Sequence, residues 1–264
     1  MEIKRKNHPQ KDDRIRELQF VLGKILDIIL LIVSVFFLGI GLYALLDSQL
    51  VIRRADIPDS LKKDASRDKE YPSIEELQKV NPDIVAWLSL DDTPVDYPIT
   101  KSSDNTKYLA RDYKNEYSMA GNPFVDFRND FLNDDFTVIY GHRMNQQKMF
   151  GVLVSYADSG FLKEHTTGTI TTTEGTYNLE VLLYSVEKIA DTKIYNLAEV
   201  RNDSNGELLN ALSNNAVSIN NKYSKVELKD VNRTNGWKLL LLSTCDKNSK
   251  HYRDVLLLRI GDKV

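Results

Sequence analysis

The stretch "LLLLSTCDKNSKHYR", Leu239 to Arg253, decides how the rest of this sequence reads. Four leucines in a row suit a strand that is buried on both faces. The apolar run gives out at Ser243 and Thr244, so Cys245 falls at the exit of that strand and not in its middle. Arg253 then opens a second apolar run, "DVLLLRIG", Asp254 to Gly261. Cys245 is the only cysteine in the chain. Free cysteines are usually buried and inert. A strand exit, however, is where a rigidly held, accessible nucleophile would sit. Such a nucleophile needs a base or a positive environment that favours the thiolate.

Working outward, the chain has 264 residues, 42% hydrophobic and 28% charged, with a formal net charge of −3. One cysteine excludes an internal disulfide framework and a zinc site built on paired cysteines. The near-neutral balance gives no reason to expect a nucleic-acid partner. Ile28 to Leu46 is a run of 19 residues without a charge. At about 1.5 Å per residue it nearly spans a hydrocarbon core of roughly 30 Å. No small-residue cleavage site follows it, so it reads as an uncleaved transmembrane anchor over 25–46. Residues 1–24 carry seven Lys/Arg, against four in the twenty residues after Leu46. This asymmetry puts the N-terminus in the cytoplasm and the remainder outside the cell membrane. Residues 47–70 read as a charged stalk, since eleven of the eighteen residues from Arg53 to Glu70 are charged and such a segment buries little. A folded domain is expected over 71–264.

Within that domain, "SIEE" (Ser73 to Glu76) is a capping box, and Asn81-Pro82 stops the short helix it opens. Strand signals follow at "DIVAWLSL", "VDYPI", "NPFVDF" and "FTVIYGH", each bounded by turn residues. "KMFGVLVSYA" reads as helical. "GTITTTEGTYNLEVLLYSVEKI" reads as a hairpin turning at Glu174-Gly175, with Tyr177, Leu179, Val181 and Leu183 on one face. The two leucine-rich runs are the last strands. About eight strands with few helices predict a mainly β fold, a closed or nearly closed barrel. Nearly fifty residues separate Ile189 from Trp237, too long for a simple connection. A second capping box, Ser204 to Glu207, opens a helix there, whose Leu208, Leu209, Leu212 and Ala216 share one face. That helix covers the barrel wall, forms one wall of a groove, or both.

Four histidines are available as the base. His8 precedes the anchor, and His165 sits in a polar helix end. His142 stands where the strand "VIYGH" ends, exposed yet rigidly held. His251 lies six residues after Cys245 in a polar loop and is the rival. Position favours His142, but partners of a nucleophile are adjacent in space and not in sequence. Arg253 carries a permanent, forked charge suited to an oxyanion or to a substrate backbone. An Arg at a strand end is also often just paired with a surface carboxylate.

Taken together, these residues resemble the sortases, membrane-anchored cysteine transpeptidases of Gram-positive bacteria. The family pattern is a strand ending in Thr-Leu-x-Thr-Cys, an Arg at the start of the next strand, and a His about a hundred residues earlier. Here the match is Leu242-Ser243-Thr244-Cys245, Arg253, and His142 in "IYGH"; Leu241 departs from the family's first Thr. "NPDIVAWLSL", "GNPFVDFRND" and the long insertion are most similar to class B. The resemblance covers roughly 71–264. It implies an eight-stranded sortase-type barrel with an N-terminal helix and a helix in the insertion. It also implies that Cys245 attacks the carbonyl of a sorting motif near the C-terminus of a secreted protein. His142 then serves as acid for the leaving amine and as base for the incoming one, a peptidoglycan cross-bridge amine or a pilin lysine. Arg253 matches the arginine that stabilises the oxyanion or orients the motif. Ser243 and Thr244 are groove-lining candidates by position, and Tyr184, Leu208 and Leu212 are further ones. No metal or cofactor is implied. With no sorting signal after the last strand, the chain is expected to be the enzyme and not its substrate.

Two other readings compete. A peptidoglycan transpeptidase of the L,D type resembles Ser-His-Gly-Cys, whereas Leu-Ser-Thr precedes Cys245 here. A membrane-tethered, non-catalytic binding domain would keep Cys245 buried and unreactive.

Overall fold

The computed structural model describes residues 9–58, 61, 72–131, 133–190, 193–197, 206–224, 228, 237–245 and 251–264. The chain divides into two compact units, one ending at Leu50 and one running from Val51 to Val264. Helix α1 spans Pro9–Arg54. Its large apolar side chains are exposed all round, Leu38 to 74%. An 18-residue window within it reaches a mean hydropathy of 2.8, so it is long and apolar enough to cross a membrane.

The second unit is a β-barrel. Among the described residues it has nine strands: β1 Ile84–Leu90, β2 Asp96–Thr100, β3 Phe124–Val125, β4 Phe136–Tyr140, β5 Thr167–Thr172, β6 Gly175–Lys188, β7 Ala216–Ile219, β8 Lys238–Cys245 and β9 Tyr252–Lys263. The order is β5-β1-β2-β3-β4-β8-β9-β6-β7, and β5 also pairs with β6. That last pairing closes eight strands into the expected barrel. The fourteen residues of β6 make closure possible. Its first half pairs with β5, its second half with β7, and β9 runs along its other edge. Strand β7 is an addition outside the ring.

Two apolar clusters sit on the two faces of this sheet. The barrel interior holds Leu240, Leu242, Leu256 and Leu258. The outer face holds Leu239, Leu241, Val255 and Leu257, together with Ile194, Leu197, Leu209 and Leu212 from the long insertion. The four-leucine run is therefore buried from both sides, which is why its hydropathy does not alternate. Each such leucine contributes roughly 1.5–3 kcal/mol relative to exposure, an upper bound for a compact unfolded chain.

The capping box at Ser73 and Glu76 forms in full and opens helix α2, Ile74–Gln78. The "KMFGVLVSYA" segment becomes a 3-10 helix over Gly151–Ala157, followed by α3, Ser159–Glu164. Helix α4, Glu207–Asn215, buries Leu208, Leu209 and Leu212 as expected, but Ala216 leaves the helix and begins β7. The box expected at Ser204 lies outside the described residues. The face assigned to β6 also changes. A register shift between Val181 and Leu183 inserts one extra residue, and a bulge moves every later side chain to the opposite face. Leu183 accordingly joins the outer cluster, and Tyr184 turns into the barrel. Within the charged 47–70 stretch, Ala55 and Ile57 are buried in the barrel's core cluster, and Lys148 pairs with Asp56.

Candidate active site

The predicted chemistry converges at one end of the barrel. Strands β4 and β8 run parallel, with Tyr140 level with Ser243. The Gly141 N–H donates to the Ser243 carbonyl at 3.1 Å. Two residues beyond that level on each chain stand His142 and Cys245. Strands β8 and β9 are antiparallel, and Cys245 is the register partner of Arg253. Cys245 thus ends β8 opposite Arg253 at the start of β9, and His142 lies two residues beyond the end of the neighbouring β4. His251, the rival base, is exposed and lies before β9; its carbonyl accepts the Ile189 N–H at 2.9 Å. His165 caps α3 and stacks on Phe161, with centroids 3.9 Å apart. His8 lies outside the described residues.

His142 is partly exposed, and its ring is held by a backbone carbonyl. Nε2 lies 2.7 Å from the Leu109 oxygen. A carbonyl oxygen only accepts, so Nε2 carries the proton and Nδ1 is the nitrogen left for chemistry. The carbonyl ends a 3-10 turn, Lys107–Leu109. That turn is tied down by Tyr108, whose hydroxyl donates to Asp83 and accepts from Asn81, each at 2.8 Å. Burial by itself would raise the Asp83 carboxyl. Hydrogen bonds from Lys107 and Tyr108 outweigh that and hold it below its ordinary range. Behind the ring stands Gly121 at φ +64. A Cβ there would come within 2.9 Å of His142 Cδ2 and 2.7 Å of the Tyr108 backbone carbonyl oxygen.

Arg253 is partly exposed, and its guanidinium donates to the Tyr252 carbonyl at 3.0 Å. Its β6 register partner is Glu187, a buried carboxylate that accepts from Asn215 at the end of α4 at 3.0 Å and from Ser185.

The groove candidates are all buried. Ser243 is 1% exposed, and its hydroxyl lies 2.8 Å from that of Tyr195 in the insertion. Thr244 is buried, and its hydroxyl has no hydrogen-bond partner among the described residues. Tyr184 points into the barrel and donates to Asp254 at 2.6 Å. Leu208 and Leu212 belong to the outer apolar cluster beneath α4.

Sequence reasoning passed over Tyr195, Tyr140, Arg143 and Asp254. Tyr195 packs on Tyr140, centroids 6.0 Å apart, on the sheet face next to Ser243. Tyr140 in turn donates to Asp126 at 2.9 Å. Arg143 and Asp254 each follow a predicted site residue in sequence, and that adjacency was the available signal.

No family model matches the chain. Sortase B of Listeria monocytogenes is 32% identical over 250 residues, which cover 90% of this chain and 95% of that protein. Among solved structures, a Streptococcus pyogenes class B sortase involved in pilus biogenesis is 27% identical at a TM-score of 0.62, covering 71% of this chain and 97% of the other. The Staphylococcus aureus sortase B–substrate complex is 28% identical at a TM-score of 0.58, covering 72% and 85%. The closed barrel, the long insertion before the cysteine strand and the kinship to the Listeria protein lead to one conclusion: this chain belongs to the sortase B family, the class B cysteine transpeptidases.

Proposed function

We propose that this chain is a membrane-anchored sortase that cleaves a sorting motif by forming a thioacyl bond at Cys245 and passes the acyl group to an amine. The observation that carries this reading is that Cys245 and Arg253 are register partners on β8 and β9, with His142 two residues past the end of β4, the strand on the other side of β8.

In the first step the Cys245 sulfur adds to the motif's carbonyl carbon. The carbonyl oxygen becomes an oxyanion beside Arg253, whose charged fork stabilises it; one such donor is typically worth about 10²–10³ in kcat. His142 protonates the leaving amine through Nδ1, because its Nε2–H is engaged by Leu109. General acid catalysis of this kind contributes about 10²–10⁴. The second step reverses the roles. Neutral His142 takes a proton from the incoming amine, which attacks the thioester and releases the thiolate.

The motif belongs to a secreted protein, and the amine is a peptidoglycan cross-bridge or a pilin lysine. The substrate complex of the Staphylococcus aureus relative and a sortase B solved with triglycine support a peptide donor and a free amine as partners. Helix α1 supports anchoring through 25–46, with residues 1–24 in the cytoplasm, a stalk over 47–70 and the catalytic domain over 71–264 outside. An all-round apolar surface of that length is stable in lipid and not in water.

The test uses the full chain in detergent with a library of fluorogenic sorting-motif peptides and a glycine-peptide amine. Wild type cleaves and ligates, Cys245→Ala and His142→Ala are inactive, and His251→Ala retains activity. A folded wild type that cuts no peptide, with Cys245 inert to a methanethiosulfonate probe, would leave a tethered binding domain instead.

A further inference from the structure

Next to the three proposed catalytic residues in sequence stand three more side chains. Arg143 follows His142, Thr244 precedes Cys245, and Asp254 follows Arg253. Thr244 and Asp254 are register partners, as Cys245 and Arg253 are. Arg143 reaches Asp254 with a guanidinium-to-carboxylate bond of 2.6 Å. The other Asp254 oxygen accepts the Tyr184 hydroxyl, also at 2.6 Å. Strand β8 stands between β4 and β9 in the sheet. The Arg143–Asp254 pair therefore ties the end of β4 to the start of β9 across the strand that carries Cys245. Tyr184 extends the tie to β6.

The pair is costly to keep for stability alone. The Asp254 side chain is 1% exposed and that of Arg143 17%. Desolvating two charges offsets most of what their attraction returns, and well-packed apolar residues would serve a barrel as well. Its location suggests a different use. The paired run of β4 and β8 ends at Tyr140 and Ser243, so His142 stands beyond the ladder. The chain then turns into a 3-10 segment, Asn145–Gln147. His142 is held there through Leu109 and through its own carbonyl, which accepts the Phe150 N–H at 3.0 Å. The Gly141 N–H bond to the Ser243 carbonyl at 3.1 Å ties the residue before it to β8. None of these contacts refers its position to β9, and the link from Arg143 to Asp254 does.

We propose that Arg143 and Asp254 form an internal strap that sets the spacing of His142 and Arg253 about Cys245, with Asp254 the positioning residue. The inference rests on the transpeptidase reading above. Acyl transfer needs the acid and the oxyanion donor in register with the nucleophile to within a fraction of an ångström, and small misplacements of positioned groups cost large factors in rate.

Charge and geometry predict opposite signs, which makes the strap testable. Removing a carboxylate near a thiol favours the thiolate, so charge alone would leave the thiol of Asp254→Asn equally or more reactive. Losing the strap lowers turnover all the same. The expected result for Asp254→Asn is a kcat down at least tenfold, KM within threefold, and Cys245 labelling by a methanethiosulfonate probe unchanged or faster. Arg143→Gln falls as far, Arg143→Lys keeps at least a third of wild-type kcat, and the double variant Arg143→Gln/Asp254→Asn is no worse than either single, because the two share one link. Leu258→Val, a core change elsewhere on β9, lowers Tm and leaves kcat alone. Without any substrate, the Nε2–H resonance of His142, held by Leu109 in wild type, broadens in Asp254→Asn. If Asp254→Asn does not fold, the Arg143→Lys and Arg143→Gln pair decides the same question at the more exposed partner. Folded variants with kcat within threefold of wild type and an unchanged His142 resonance would overturn the strap. An active Cys245→Ala would instead remove the transpeptidase reading beneath it.

Discussion

Cys245 and Arg253 are register partners on antiparallel neighbours, β8 and β9. They stand eight positions apart in sequence, but the sheet brings their backbones to the distance of a cross-strand pair. Residues directly opposite in this way have Cβ atoms about 4.5–5.5 Å apart. In the proposed mechanism, that is where the Arg253 charge would meet a thioester at Cys245.

The first prediction concerns that charge. Arg253→Ala lowers kcat by about 10²–10³, the usual loss when one oxyanion donor is removed. Arg253→Lys does not restore it, because a point charge on a flexible stem lacks the planar fork. Steady-state cleavage of the selected peptide measures both.

Gly121 is the second. At φ +64 it occupies the left-handed region, where a Cβ costs about 1–3 kcal/mol. The added carbon would also press on His142 Cδ2, Tyr108 O and Leu109 O. Gly121→Ala therefore lowers both stability and kcat, the latter at least tenfold, read by denaturant melts and by turnover on the folded fraction.

The third prediction takes Tyr195, in the insertion before β8. Tyr195 meets Ser243 by hydrogen bond and Tyr140 by ring packing. Tyr195→Phe loses one hydrogen bond, about 1 kcal/mol, and changes activity little. Tyr195→Ala removes the ring and raises KM severalfold with a smaller change in kcat.

The fourth is a pH dependence. Burial alone would raise the Asp126 carboxyl. Hydrogen bonds from Arg128, Tyr140 and Asn105 together hold it below its ordinary range. Its folded value lies under the unfolded one near 3.9. The stabilisation is therefore complete above about pH 3.9 and is lost as pH falls through the folded value. Asp126→Asn flattens the acid limb of a Tm-versus-pH curve and leaves its slope near neutrality unchanged. An unaltered acid limb would sink the argument.

Much of this protein was legible in order along the chain. An apolar run without charge determined α1. Turn residues and β-branched runs gave most strands, and Ser73 with Glu76 gave the cap of α2. Hydropathy changing to Ser-Thr placed Cys245 at a strand exit, and a resemblance in motif singled out His142 over His251. All of these are local signals, carried by neighbours within a few residues. Closure of the barrel by β5 on β6, the bulge that turned Tyr184 inward, and β7 were decided only by the tertiary structure. So were the Leu109 carbonyl that fixes the His142 tautomer and the pairing of Arg143 with Asp254. Their partners are distant in sequence, and nothing in a one-dimensional pattern records which strand edge meets which. Residue types specified what chemistry the chain could perform. Packing of β4, β8 and β9 side by side decided that His142, Cys245 and Arg253 lie at the same end of three adjacent strands, because only sheet pairing brings residues so far apart in sequence together.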